Sequence, residues 1–152
     1  MKRSAVIVAL VLIAVGPAYS RNISWPGYDE LFAKSDFVVI AEPATKTRDT
    51  REHTVLTENI SPGVSAIGVV TDFKCLLVLK GARRLRFTLH HYRLGESGLI
   101  INGPNFMAYK PGIVTQPFLM FLVRERDGRF APTAGQIDPG ISVQKLSGNG
   151  LE

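Results

Sequence analysis

Two runs of strand-forming residues with a glycine break between them dominate the chain. Gly68 to Lys80 reads Gly-Val-Val-Thr-Asp-Phe-Lys-Cys-Leu-Leu-Val-Leu-Lys, Gly81-Ala82 follows, and Arg83 to Tyr92 reads Arg-Arg-Leu-Arg-Phe-Thr-Leu-His-His-Tyr. β-Branched, aromatic and aliphatic residues on both sides of a Gly-containing break predict a β-hairpin from Gly68 to Leu94. In the first arm Val69, Thr71, Phe73, Cys75, Leu77 and Leu79 share one face, the better core face. In the second, Leu85, Phe87 and Leu89 alternate with Arg84, Arg86, Thr88 and His90, which is half-buried patterning.

The remaining elements follow the same logic. Tyr28 to Lys34 predicts a short helix: Tyr28, Leu31, Phe32 and Ser35 fall on one face, and Asp29 and Glu30 complement the positive N-terminal end. Phe37 to Ala41 is a continuous apolar run, expected as a strand buried on both faces. Thr45 to Thr54 is polar and charged, a solvated loop or the outer end of a long twisted hairpin. Ser61-Pro62-Gly63 is a turn signal. Gly95 to Gly112 is a long connection in which Leu99 to Ile101, Phe106 and Met107 must pack somewhere. Pro117 to Val123 predicts a second strand buried on both sides. Asp127-Gly128 marks a turn, Arg129 to Thr133 a short strand with Phe130 inward, and Ile141 to Leu146 a closing segment; Ser147 to Glu152 should fray. With 45% hydrophobic and 20% charged residues in 152, the composition is that of one globular domain.

The first twenty residues carry the marks of a secretory signal. Lys2 and Arg3 precede an apolar run from Ala5 to Val15, Gly16-Pro17 ends it, and Ala18-Tyr19-Ser20 presents small residues to a signal peptidase. The run is too short for a good membrane anchor. Cleavage between Ser20 and Arg21 would leave 132 residues and lower the formal charge from +5 to +3. The expectation is a secreted or periplasmic protein with at most a mild affinity for polyanions. Cys75 is the only cysteine, so no intramolecular disulfide forms and the core alone must hold the domain, residues 21–152.

Five or six strands, one short helix and no βαβ alternation exclude a parallel α/β sheet. The class expected is mainly β: a small antiparallel OB-like barrel with the helix at its N-terminal side, because closure removes sheet edges. The order Tyr28 to Phe32, Ser35 to Glu42, Phe73 to Gly81, Gly112 with Phe118 to Leu122, and Asp127 to Phe130 with Gly135-Gln136 resembles exported bacterial proteins carrying a netrin-like OB barrel, the fold of the tissue inhibitors of metalloproteinases. The resemblance would span residues 28–146 and implies the fold. It brings no inhibitory residues: that family chelates the protease zinc through an N-terminal cysteine, whereas the expected N-terminus here is Arg21-Asn22-Ile23, and its disulfides are absent too.

No catalytic motif stands out. His53, His90, His91 and Cys75 lack zinc-site spacing, and adjacent His90 and His91 point to opposite faces of a strand, so no metal or cofactor is expected. Gly95-Glu96-Ser97-Gly98 lacks the length and context of a nucleophile elbow. Cys75 with His90 or His91 as a thiolate pair is weaker than a buried core thiol. The carboxylates Asp29, Glu30, Glu96, Glu125, Asp127 and Asp138 cannot be paired from sequence, and neither a Rossmann fingerprint nor a P-loop is present. The feature that does stand out is basic: Arg84, Arg86, His90, Tyr92 and Arg93 lie along the second arm, either as a contact face or as charge protecting an edge. The function expected is a non-enzymatic binding or scaffolding domain of the envelope, its partner an unidentified protein or acidic polymer. Export disfavours nucleic acid. Inhibition or modulation of an exported hydrolase, and an enzyme with a loop-built site, are the alternatives.

Overall fold

The computed structural model describes residues 26–55, 65–95, 106–112, 116–136 and 139–146. The signal segment with its cleavage point at Ser20 and Arg21, the Ser61–Gly63 turn, Leu99 to Ile101 and the last residues lie outside them. In chain order the elements are helix α1 (Tyr28–Lys34) and strands β1 (Phe37–Pro43), β2 (Arg48–Val55), β3 (Ser65–Lys80), β4 (Arg86–Leu94), β5 (Phe118–Arg124), β6 (Phe130–Pro132) and β7 (Val143–Lys145), with a 3-10 turn at Pro139–Ile141.

β1 pairs β3, β3 pairs β4, β4 meets β6, β6 pairs β5, and β5 returns to β1, closing a five-stranded barrel. The closing order, with its single parallel contact at Leu89 and Phe130, is that of an OB-like barrel. β2 lies outside on β3, and β7 on β5. The mainly β architecture with one short helix is therefore as the sequence predicts, with two outer strands added.

β1 needs apolar residues on both faces because it is covered twice. Phe37, Val39 and Ala41 enter the barrel, while Val38 packs with Phe121 beneath Leu31 of α1. The helix is held by that one leucine, by a Lys34–Glu30 pair at 2.6 Å one turn apart, and by Ser35, whose hydroxyl donates to the Leu31 carbonyl at 2.6 Å. Inside the barrel an aromatic lattice spans the cross-section. Phe73 stacks on Phe87 at 5.5 Å, Phe37 meets Phe87 and Phe130 at 5.4 and 5.0 Å, and Tyr109 abuts Phe73 and Phe118. Tyr109 comes from the connection after β4, so that connection contributes to the core.

β3 departs from the expected pattern. Val69, Thr71 and Phe73 are fully buried as their shared face requires, but Leu77 and Leu79 are about half exposed. The register explains why. Ala41 opposes Cys75 but Ile40 opposes Leu77, so Leu76 is an extra residue; Val39 opposes Val78 but Val38 opposes Lys80, so Leu79 is another. Each bulge reverses the inside–outside alternation. Val78 therefore packs on the core and Leu77 turns outward. Leu85, expected inward in the second arm, is 86% exposed because β4 starts only at Arg86. At the break Gly81 adopts φ +94°, and a Cβ there would stand 2.6 Å from the Asp36 carbonyl oxygen, so only glycine fits.

Candidate protein-interaction surface

The end of the central hairpin is where apolar surface meets solvent. Leu76, Leu77, Leu79 and Leu85 are each about half exposed or more. Leu76, Leu77 and Leu85 border a cavity of about 390 Å³ lined by residues 75–78 of β3 and by Arg83, Arg84 and Leu85. Pairing of β3 with β4 ends at Lys74 and Arg86. Beyond it the Cys75 amide donates to the Leu85 carbonyl at 2.9 Å, and from Leu76 to Lys80 the paired neighbour is β1. Among the described residues no strand lies against the other edge of that stretch.

Arg84 closes this end of the barrel. Its guanidinium lies 4.7 Å from the Phe130 ring centre and 5.1 Å from that of Phe37, a cation–π arrangement on two core rings, and its buried Nε has no hydrogen-bond partner. The side chain also borders a second cavity of about 370 Å³ beside Asp36, Phe37 and Arg124. The side chains of Arg83 and Arg86 make no hydrogen bond or ion pair with any described residue. Lys74 pairs with Glu42 at 3.3 Å and Lys80 donates to the Phe32 and Ala33 carbonyls. Cys75, half-buried at the cavity wall and packed on the core, has its thiol pushed up by burial, against the smaller opposing effect of Arg84.

The five residues singled out from sequence are not brought together on one face. Arg84 and Arg86 belong to the leucine-rich end. Arg93 is at the far end of β4, where its guanidinium donates to Asp49 at 2.7 Å and holds that carboxyl below the usual carboxylate range. His90, expected on the exposed strip, is 3% exposed. Its Nδ1 lies 2.9 Å from both Glu125 carboxylate oxygens and its Nε2 2.9 Å from Glu52 Oε2, without hydrogen-bond alignment at Nε2. Tyr92 is half-buried beside it at 5.4 Å, its hydroxyl pushed up by burial and by the two glutamates.

This second cluster has a definite construction that the sequence reading missed. Between Asp49 and His53, β2 advances four residues while β3 advances two, so β2 bulges outward there. Glu52 sits in the bulge directly over Gly68, where any Cβ would come within 2.8 Å of the Glu52 Cβ and the Thr50 hydroxyl. From the β5–β6 turn, Arg129 donates to Glu52 at 2.8 Å and lies 2.6 Å from Asp127, and Gln136 adds an amide at 3.0 Å from His90. Gly68 within an otherwise apolar strand was the available signal, since a strand glycine marks a close backbone approach. His91, on the opposite face, is 1% exposed; its Nε2 lies 3.0 Å from the Thr71 hydroxyl and its ring stands on Tyr109. Burial, then the neighbouring His90, pushes it down to about 4.

Chemically the two regions differ. Around His90 the cation, the imidazole and the carboxylates answer one another, and neither of the two cavities described borders them. Among the described residues no group of three or more His, Cys, Asp or Glu side chains is placed to hold a metal ion. The leucine-rich end offers apolar area, cavity volume and uncommitted positive charge. Comparison with protein-family models, curated proteins and solved structures finds no match to this chain.

Proposed function

We propose that this chain is an exported, non-catalytic binding domain whose contact surface is the end of the β3–β4 hairpin, and that its partner is a protein of the envelope. The observation that carries the reading is the exposure of Leu76, Leu77 and Leu85 around one cavity, with exposed Leu79 next along the same strand; among the described residues the other exposed large apolar side chains are Tyr28 and Phe32 of α1. Clustered exposed leucines cost solubility without improving the fold, and such patches mark interaction sites. Within the strip read from sequence, Arg84 and Arg86 retain a place at this surface, while His90 and Arg93 act within the fold.

A photo-crosslinking amino acid placed at Leu77 in one variant and at exposed His53 in another tests the reading in cells. Crosslinks confined to position 77 and abolished by Leu85→Asp are expected. Equal labelling at both positions, or labelling at neither, overturns it.

A further inference from the structure

We infer that the occupant of this surface is an extended peptide segment with carboxylates at one end, seated along the open edge of β3 from Leu76 to Lys80. The inference rests on the binding reading above and specifies its ligand. Three independent features converge on an extended acidic chain.

The first is the backbone. β4 leaves β3 at Lys74, yet β3 continues for six residues, supported by β1 alone. A strand with one unpaired edge offers main-chain donors and acceptors that another extended segment satisfies directly. The second is the side-chain layout. The bulges at Leu76 and Leu79 leave Leu76, Leu77 and Leu79 half exposed beside the open edge, and Leu85 lines the cavity with Leu76 and Leu77. An added strand beside this edge brings its own side chains against exposed leucines of β3. The third is charge. Arg83 and Arg86 are uncommitted, and the buried Nε of Arg84 lacks a partner at the cavity wall. Guanidinium groups in that state favour carboxylates, which they bind in a bidentate fork.

The same charge decides against a second copy of this chain. Edge-to-edge pairing of two Leu76–Lys80 segments would bring Lys74, Lys80, Arg83 and Arg86 of each copy together. A lipid surface would satisfy the leucines and arginines but not the strand edge, because headgroups do not replace a hydrogen-bonded neighbour along a backbone.

The test uses the full chain, purified as the expressing cell delivers it, with a fluorescein-labelled peptide of alternating valine and threonine ending in three aspartates. Anisotropy should show saturable binding. Alternate N-methylation of the peptide should weaken it at least about tenfold, since each blocked main-chain bond removes a net contribution of its own. Replacing the aspartates by lysines, or introducing Arg83→Glu with Arg86→Glu, should do the same, with unchanged circular dichroism confirming the fold. Binding insensitive to N-methylation, binding insensitive to the charge reversals, or association with phosphatidylglycerol vesicles and not the peptide overturns the inference. Crosslinking specific to position 77 together with failure of the peptide removes the extended ligand and leaves the binding reading standing; loss of that crosslinking removes the reading itself.

Discussion

At the Leu94 half of the hairpin, side chains from β2, β4 and the β5–β6 turn face inward on His90, each charge opposed by another within hydrogen-bond or ion-pair distance. At the Arg86 half, leucines face water and two arginines face nothing. Both regions hang on the same two strands, and both depend on irregularities in their pairing: a bulge in β2 over Gly68 in one, two bulges in β3 in the other. The difference lies in how the polar groups are settled. Where charges are half-buried they must be paired, and the pairs tie three elements together. Where apolar groups are exposed no packing among the described residues accounts for them, and the proposed contact surface rests on that contrast.

The comparison has measurable consequences, the largest in the core that separates the two regions. Phe37→Ala removes a ring that touches Phe87, Phe130 and Arg84 and should cost about 3–5 kcal/mol in urea unfolding; a loss near zero would mean that Arg84 and its cavities already loosen this end.

Acid should act next. The ordinary His value of 6.5 lies above the folded value of about 4 for His91, so on acidification the unfolded chain takes up the proton first. The stability held by neutral, buried His91 is complete above about pH 6.5 and is lost as pH falls toward 4, about 3 kcal/mol in all. Urea midpoints measured across that window should fall for the native chain and much less for His91→Leu.

Arg129→Ala should be smaller, about 1–3 kcal/mol, because Glu52 is partly exposed and solvent screens what the pair loses. Gly68→Ala should match it in size by lifting Glu52 away from His90, and the two changes together should cost less than their sum. Additive losses would show that the bulge and the turn act separately. Leu85→Ser should change stability by less than about 0.5 kcal/mol while abolishing crosslinking from position 77. A large destabilisation there would make Leu85 a packing residue and erase the contrast between the two halves.

Much of the barrel was legible because local pattern and tertiary role agree. The helix over Tyr28 to Lys34, the doubly covered Phe37 to Ala41 and Pro117 to Val123 runs, the Asp127-Gly128 turn and inward Phe130 all obey simple periodicity. What failed to show depends on partners distant in the chain. Bulges at Leu76 and Leu79 arise from fitting β3 to β1, a pairing about 38 residues apart in sequence, and alternation alone carries Leu77 into the core. β2, Arg48 to Val55, reads equally as a solvated loop or the outer end of a hairpin because its residues are polar and charged. His90 reads as exposed because histidine usually is; its burial is made affordable by Glu52 and Glu125, from elements 38 and 35 residues away. The site is half legible: Arg84 and Arg86 stand out in the sequence, while alternation points Leu77, Leu79 and Leu85 beside them toward the core.

The two extra residues in β3 also act as a frame shift. From Val69 to Phe73 the odd-numbered side chains are fully buried; past Leu76, Val78 packs on the core. Deleting or inserting a single residue at this point would exchange the inward and outward sets over the last turns of the strand while leaving Val69 to Phe73 untouched. The surface offered at the hairpin end is thus rewritable by indels in one strand, and variation among descendants of this chain should concentrate there as changes of length rather than of residue type.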